Sequence, residues 1–231
     1  SLGIAVHNVV EGLAQYPADE RLTRDLRAQF EEEWLKVTGK QGGFLSADEE
    51  EEFKMRGKDM INTVIKNPRF LINKRIKLPQ GDMPCNFYLS EADNIILNGL
   101  VDWIEYLPDD TLHVVDFKTG KHDEKETSLQ LPIYLLLCNA LQKRKVIKAS
   151  YWYLDGDRLV EKSLPSIEQA YKDVYDVAIQ VKRARDEAKK SNPETVFVCP
   201  NGRYNPETDE GGCYGCRPYE KILVGDPSME Y

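Results

Sequence analysis

A chain of 231 residues, 41% of them hydrophobic, can bury the core of one large domain or of a core with a helical annex. Global disorder is not expected at that composition. The net charge of −8 has the opposite sign to that of a compact, sequence-tolerant DNA binder, so any contact with nucleic acid must use local basic patches. No apolar run approaches a membrane span and no basic-then-apolar leader is present, so no membrane partner is expected. Five cysteines, an odd number with three near the end, fit an intracellular, cytoplasmic protein with a metal or cluster knot better than a secreted disulfide scaffold. The chain opens at Ser1-Leu-Gly3, without Met and already in a helical pattern, and is expected to be a piece of a longer protein.

Residues 3–16 place Ile4, Val6, Val9, Val10 and Leu13 at helical spacing, and Pro17 ends that helix. His7 and Glu11, four apart, share one side of it. A second helix is expected over 19–37, with Leu22, Leu26, Phe30, Trp34 and Leu35 inward. After a loop from Gly39 to Phe44, Ser46 with Glu49 three residues on predicts an N-cap, and the helix runs to about Lys66 before Asn67-Pro68. Its apolar side is Met55, Met60, Ile61, Val64 and Ile65, and the acidic run Asp48–Glu52 is a solvated helix start.

A β region follows. Arg69–Leu78 is extended in its second half, Pro79–Pro84 is a turn, and Asn86–Ser90 and Ile95–Glu105 alternate as strands. Pro108-Asp-Asp110 turns into a strand over Thr111–Lys118 that pairs as a hairpin with the one before it. A helix over roughly 128–143 has Leu131, Leu135, Leu136 and Cys138 on its core face and Pro132 near its start. Val146–Leu154 and Arg158–Leu164 form a hairpin around Asp155-Gly-Asp157, and a long amphipathic helix runs from about Ser166 to Lys190. The pattern is a mixed α/β (α+β) core with an α-helical N-terminal annex.

On the strand over 111–118, Leu112, Val114, Asp116 and Lys118 share one face. An acid and an amine thus emerge together at the strand's end, where they could hold a metal ion and a polarised water or form a plain exposed ion pair. Asp102 interrupts an apolar run between Val101 and Trp103, and hairpin pairing would bring it near Asp116. Two carboxylates so placed repel unless a metal or a shared proton relieves them; the alternative is an Asp facing a turn and paired with a lysine. Gln130 and Tyr134, four apart on a helix, could reach phosphate, orient the lysine, or form the polar edge of a core helix. His7 in an apolar helix suits a metal ligand or a hydrogen-bonded core residue.

In order and spacing, His7, Gly99-Leu-Val-Asp102, Asp116-Phe-Lys118-Thr-Gly120 and Gln130-x-x-x-Tyr134 resemble the RecB-like branch of the PD-(D/E)XK nuclease superfamily over roughly residues 3–155. The resemblance implies a restriction-endonuclease-like core, a mixed sheet flanked by helices. It implies that His7, Asp102, Asp116 and the backbone carbonyl of Phe117 hold Mg²⁺ or Mn²⁺. By the same token Lys118 positions the attacking water, with Asp102 and Asp116 the other catalytic groups, while Gln130 and Tyr134 lie beside the site and touch DNA. The implied activity is a metal-dependent deoxyribonuclease, an exonuclease on single strands or ends. Its setting would be repair, recombination or DNA-end processing, attached to or partnered with a helicase. A non-catalytic nuclease fold that binds DNA ends or a protein, and a CRISPR-adaptation exonuclease of the same branch, are the alternatives.

Many relatives in this branch close the core with an iron–sulfur cluster on four cysteines. Here Cys213-Tyr-Gly-Cys216 matches the doublet, Ile222 stands where a further cysteine is expected, and Cys199 could substitute. Cys199, Cys213 and Cys216 are thus candidates for an iron–sulfur cluster or Zn²⁺, with no evident fourth ligand. Cys85 and Cys138 read as core positions. A second departure is basic Asn73-Lys-Arg-Ile-Lys77 where an acid is common. With Lys121, Lys125, Lys143-Arg-Lys145 and Arg203 it could line a DNA path, whereas Trp103, Tyr151 and Trp152 read as core aromatics. The whole chain is read as one nuclease domain: a helical part over 1–68, a core over 69–190 and a cysteine-containing segment over 191–231.

Overall fold

The structure is a computed structural model that describes residues 1–76, 85–191, 193–199 and, from 201 to 221, all but 206, 209, 214, 218 and 220. The expected turn at 79–84, the end of the basic stretch at Lys77 and position 222 lie outside the described residues, as does the side chain of Cys85. The chain divides into two compact units, Ser1–Tyr175 and Asp176–Tyr231.

The first unit opens with three helices. Helix α1 (Leu2–Gly12) buries Leu2, Ala5, Val6, Val9 and Val10, and a 3-10 turn carries on through Leu13. Helix α2 (Leu26–Trp34) starts at Asp25, whose carboxylate accepts from the backbone N–H groups of Arg27 and Ala28. Short 3-10 turns flank it, so the expected single helix over 19–37 is broken into three pieces. Helix α3 (Ala47–Lys66) begins at Ser46, whose hydroxyl accepts from Glu49 N, while Glu49 reaches back to Leu45 N. These helices pack as a layer with Phe30, Trp34, Met60, Ile61 and Val64 inside. Ile4, Leu22, Leu35, Met55 and Ile65, all expected inward, are exposed, Leu35 at 73%. For Leu22 and Leu35 the cause is the breaks around α2: turns shift the phase, so periodicity extended across them picks the wrong side.

Strand β1 (Cys85–Ser90) pairs antiparallel with β2 (Ile95–Gly99) in a two-stranded ribbon. Strands β3 (Trp103–Tyr106), β4 (Leu112–Lys118), β5 (Val146–Tyr153) and β6 (Arg158–Lys162) form the main sheet in that order. β4 and β5 run parallel and the outer pairs antiparallel. Helix α4 (Gln130–Leu141) makes the crossover that a parallel pair needs, with Pro132 in its first turn, where a missing N–H is harmless. Arg75 bridges to Glu105, so the segment around it extends the sheet beyond β3. The expected strand over 95–105 is therefore two strands in different sheets. Asp102 lies at the bend between them rather than within a strand, because β2 leaves to pair with β1 while β3 joins β4.

The helical layer is fastened to the sheet through polar contacts. Arg21 donates to the carbonyls of Leu71 and Asn73, Arg69 pairs with Asp157, and Arg56 pairs with Asp155 at the β5–β6 turn. Trp103, Phe117 and Trp152 join the helix residues in one core, so these aromatics are filled in rather than offered to bases. Within the sheet, His113 bonds Glu105 through Nδ1 at 2.7 Å and Ser150 through Nε2 at 2.9 Å, and Asn73 donates to Glu105. This has the composition of a hydrolase triad, but Ser150 is 0% exposed, so no substrate reaches it; the chain is a satisfied buried network.

Helix α5 (Ile167–Ala188) begins in the first unit and runs into the second, which also holds the short helix α6 (Pro193–Val196). No helix among the described residues is long and apolar enough to cross a membrane.

Candidate active site

The site gathers where three elements meet: the second and third turns of α1, the bend before β3, and the C-terminal end of β4. Strand β4 is buried along its length, so its last residues are held without slack. Trp103 pairs with Val115, which puts Asp102 level with Asp116 across the hairpin. Asp102 Oδ2 also accepts from the backbone N–H of Phe117 at 2.8 Å. Helix α1 can approach because Gly3 faces Thr119 closely: a Cβ there would be 3.3 Å from the Thr119 hydroxyl.

The approach of α1 brings His7 and Glu11 onto Asp102. His7 Nδ1 is 2.7 Å from Glu11 Oε1 and 3.6 Å from Asp102 Oδ2. The three side chains offer ligand atoms that all lie within 4.8 Å of one another. Glu11 is the residue that sequence reasoning left without a role. Its only signal was the four-residue offset from His7, and its nearness to Asp102 is a tertiary fact.

Asp116 stands between this group and a second set of partners. Its Oδ1 accepts from Gln130 Nε2 at 2.5 Å and from the Tyr134 hydroxyl at 3.1 Å. Gln130 Nε2 donates to the same hydroxyl at 3.0 Å, and Gln130 Oε1 accepts from Lys118 Nζ at 2.5 Å. The amide and phenol are thus turned onto Asp116 and Lys118. Asp116 Oδ2 is 2.8 Å from Lys118 Nζ, yet that approach lies off the hydrogen-bond direction, and this buried oxygen has no hydrogen-bond partner. Lys118 also lies 3.2 Å from Glu124 Oε2, on the loop after β4, and over the Tyr151 ring at 4.8 Å.

The electrostatics follow from crowding acids in a dry place. Burial, with the Asp116 charge behind it, pushes the Asp102 carboxyl up to about 8, only partly offset by His7. Burial also raises Asp116 against the opposing pull of Lys118 and Tyr134. His7 would be lowered by burial, but its hydrogen bond to Glu11 and the charges of Asp102, Glu11 and Asp116 bring it above its ordinary value. Burial and the two aspartates raise the Tyr134 phenol well beyond its ordinary range, so it stays a neutral donor. Without a cation, Asp102 holds a proton at neutral pH that a divalent ion would replace.

That donor set fits a divalent metal. His7, Glu11 and Asp102 offer one imidazole nitrogen and two carboxylates, and Asp116, whose charge acts on His7 and Asp102, carries a buried Oδ2 with no hydrogen-bond partner. Hard oxygen ligands with a single nitrogen suit Mg²⁺ or Mn²⁺.

Cys199, Cys213 and Cys216 form their own cluster in the second unit, with sulfurs within 4.8 Å of one another. A tight turn makes it. Gly211 has φ 77, and a Cβ there would meet the Arg203 carbonyl at 2.2 Å, so only glycine fits. Cys213 N then donates to Cys199 Sγ at 3.0 Å. Hydrogen bonding from Cys216 brings the Cys213 thiol down to about 7, and Cys213 in turn pushes Cys216 up to about 11. Three sulfurs fit three corners of a tetrahedral site, and no fourth ligand joins them among the described residues. Cys138 is buried in α4 and forms no disulfide, as its helical position suggests.

The described basic residues divide. Arg75 lies over the Trp103 ring and Arg144 over the Tyr106 ring, where Arg144 also pairs with Asp110; Lys121, Lys143 and Lys145 are exposed.

The chain matches the family model of the PD-(D/E)XK nuclease superfamily over residues 1–219, and it belongs to that superfamily. No curated protein matches it.

Proposed function

We propose that this protein is a metal-dependent deoxyribonuclease of the RecB-like branch, cutting phosphodiester bonds from single strands or ends. One observation carries the reading: His7, Glu11 and Asp102 converge, and β4 holds Asp116 where its charge acts on His7 and Asp102 while Lys118 lies 2.8 Å from it. Carboxylates with an imidazole and an adjacent fixed ammonium are what phosphodiester hydrolysis requires.

In this reading His7, Asp102, Asp116 and the Phe117 carbonyl hold Mg²⁺ or Mn²⁺, with Glu11 as a further ligand. A divalent ion so held would neutralise charge on the scissile phosphate and lower the pKa of bound water. Lys118 holds the attacking water and stabilises charge beside it. Gln130 and Tyr134 fix the angle of Asp116 and Lys118, and so act on DNA through them. Exposed Lys121 offers the phosphate backbone a positive contact beside the Thr119-Gly120 turn.

We extend the proposal to the whole chain as one nuclease domain, cytoplasmic, working in repair, recombination or end processing with a helicase domain or subunit. The ordered motifs of the RecB-like branch support that setting. Cys199, Cys213 and Cys216 would bind Zn²⁺ or an iron–sulfur cluster once a fourth ligand is supplied. Elemental analysis of the purified protein for zinc and iron tests this, and a metal-free protein with all three thiols titratable sinks it.

The net charge of −8 favours one other reading, a nuclease fold that binds DNA ends or a protein without cutting. Labelled linear and circular DNA, single- and double-stranded, with Mg²⁺ or Mn²⁺, separates the two. The nuclease reading expects degradation of linear DNA from its ends. Binding without cleavage, unchanged by Asp102→Ala, supports the alternative.

A further inference from the structure

The surroundings of Lys118 point to a catalytic group beyond the acids that face the metal position. Three oxygens lie around this ammonium: Gln130 Oε1, which accepts from it at 2.5 Å, Asp116 Oδ2 at 2.8 Å and off the hydrogen-bond direction, and Glu124 Oε2 at 3.2 Å. The Tyr151 ring covers another side at 4.8 Å. A water can lie on Lys118 only where one of these oxygens leaves room. Gln130 is locked to Asp116 and Tyr134, and Asp116 is bonded by both. Glu124 makes the longest contact and comes from a loop.

The loop is nevertheless held in place. Glu124 N donates to the Tyr153 hydroxyl at 2.8 Å, Asp123 pairs with Arg158, and Glu126 pairs with Lys162 at 2.8 Å. The carboxylate is thus aimed at Lys118 from an anchored backbone with its outer side open, the side chain being 31% exposed. It is also the one carboxylate on Lys118, among the described residues, that is not a candidate metal ligand.

We propose that Glu124 is the general base of the reaction. A water enters between Lys118 Nζ and Glu124 Oε2. Its O–H bond breaks, the proton passes to Glu124 Oε2, and the water oxygen forms the new bond to phosphorus. The bond from phosphorus to the leaving sugar oxygen breaks, and that oxygen takes a proton from solvent. Glu124 then returns its proton to solvent, so each turnover consumes one water and leaves the enzyme unchanged.

The charged state suits the role. Burial would raise the Glu124 carboxyl, but the Ser128 hydrogen bond and the Lys118 and Lys125 charges bring it below its ordinary value. The other titratable groups that face it are the phenols of Tyr151 and Tyr153. Glu124 is therefore ionised and ready at neutral pH.

This inference rests on the nuclease reading, and one set of kinetics separates the two. kcat and KM are measured from pH 5.5 to 9.5 on a short single-stranded DNA with Mg²⁺, for wild type, Glu124→Gln and Glu124→Asp. A general base contributes about 10²- to 10⁴-fold, so Glu124→Gln should lose at least about 100-fold in kcat with KM little changed. Its remaining rate should climb with hydroxide across this range more steeply than that of wild type, in which Glu124 is ionised throughout, and Glu124→Asp should regain part of the rate. Thermal unfolding of each variant shows that the fold is kept. If wild type cuts while Glu124→Gln keeps its kcat, or loses only in KM, Glu124 is not the base and the nuclease reading stands. If wild type cuts no form of DNA, the nuclease reading itself fails.

Discussion

Asp102 Oδ2 accepts the backbone N–H of Phe117 at 2.8 Å, so a buried acid at the bend before β3 is also a clasp on the end of β4. Charge and clasp can be separated. In Asp102→Asn the amide oxygen still accepts from Phe117, but the negative charge is gone. We expect the fold to hold and turnover to fall by about 100-fold or more, since losing about 3 kcal/mol of charge stabilisation has that effect. Asp102→Ala should lose stability as well. Equal activity in Asp102→Asn and wild type would remove Asp102 from the metal set.

The crowded acids also set a pH dependence. Asp102 is raised from an ordinary 3.8 to about 8, so the folded state binds a proton that the unfolded state has released between those values. Its stabilising effect is complete below the lower value and is lost as pH rises through the upper one. His7, also raised, acts in the same direction. With EDTA present, the melting temperature should therefore fall from pH 6 to pH 8.5. Mg²⁺ should restore it, and by more at pH 8.5 than at pH 6, since binding must displace protons at the lower pH. A melting temperature that rises across this range without metal would contradict the account.

The network His113–Glu105–Ser150 makes a stability prediction independent of activity. His113→Ala strips Glu105 and Ser150 of a partner and leaves a cavity against Phe70. Urea unfolding should show a loss of about 3 kcal/mol. A loss under about 1 kcal/mol would mean that the network does not matter to the sheet.

Gly57 gives a sign test for the helical layer. In an exposed helix, Gly→Ala stabilises by about 1 kcal/mol. Here a Cβ would lie 2.4 Å from Phe30 Cζ, so the ring must move within a filled core. Gly57→Ala should instead destabilise by about 1–3 kcal/mol, read by the same unfolding assay.

These residues show what can be read ahead of the coordinates. Strand alternation puts Asp116 and Lys118 on one face and the four-residue offset puts Gln130 beside Tyr134, while His7 is singled out only by the family resemblance. Pairing of Asp102 with Asp116 followed from the hairpin. The break at Leu100–Asp102 was hidden because apolar alternation runs through it, and only sheet pairing separates β2 from β3. Leu35 went astray because a 3-10 turn resets the helix phase after Trp34. Glu11 and Glu124 could not be singled out: one needed the approach of α1 to Asp102, the other a charged loop whose folding no periodicity encodes.

The most direct measurement of the central claim compares wild type with Lys118→Ala and Asp116→Ala on end-labelled single-stranded DNA in Mg²⁺ and in Mn²⁺. We expect wild type to shorten the DNA only with metal, and both variants to fall to background while keeping the far-ultraviolet circular dichroism of wild type. Undiminished cleavage by either variant, or an inert wild type with both metals, would contradict it.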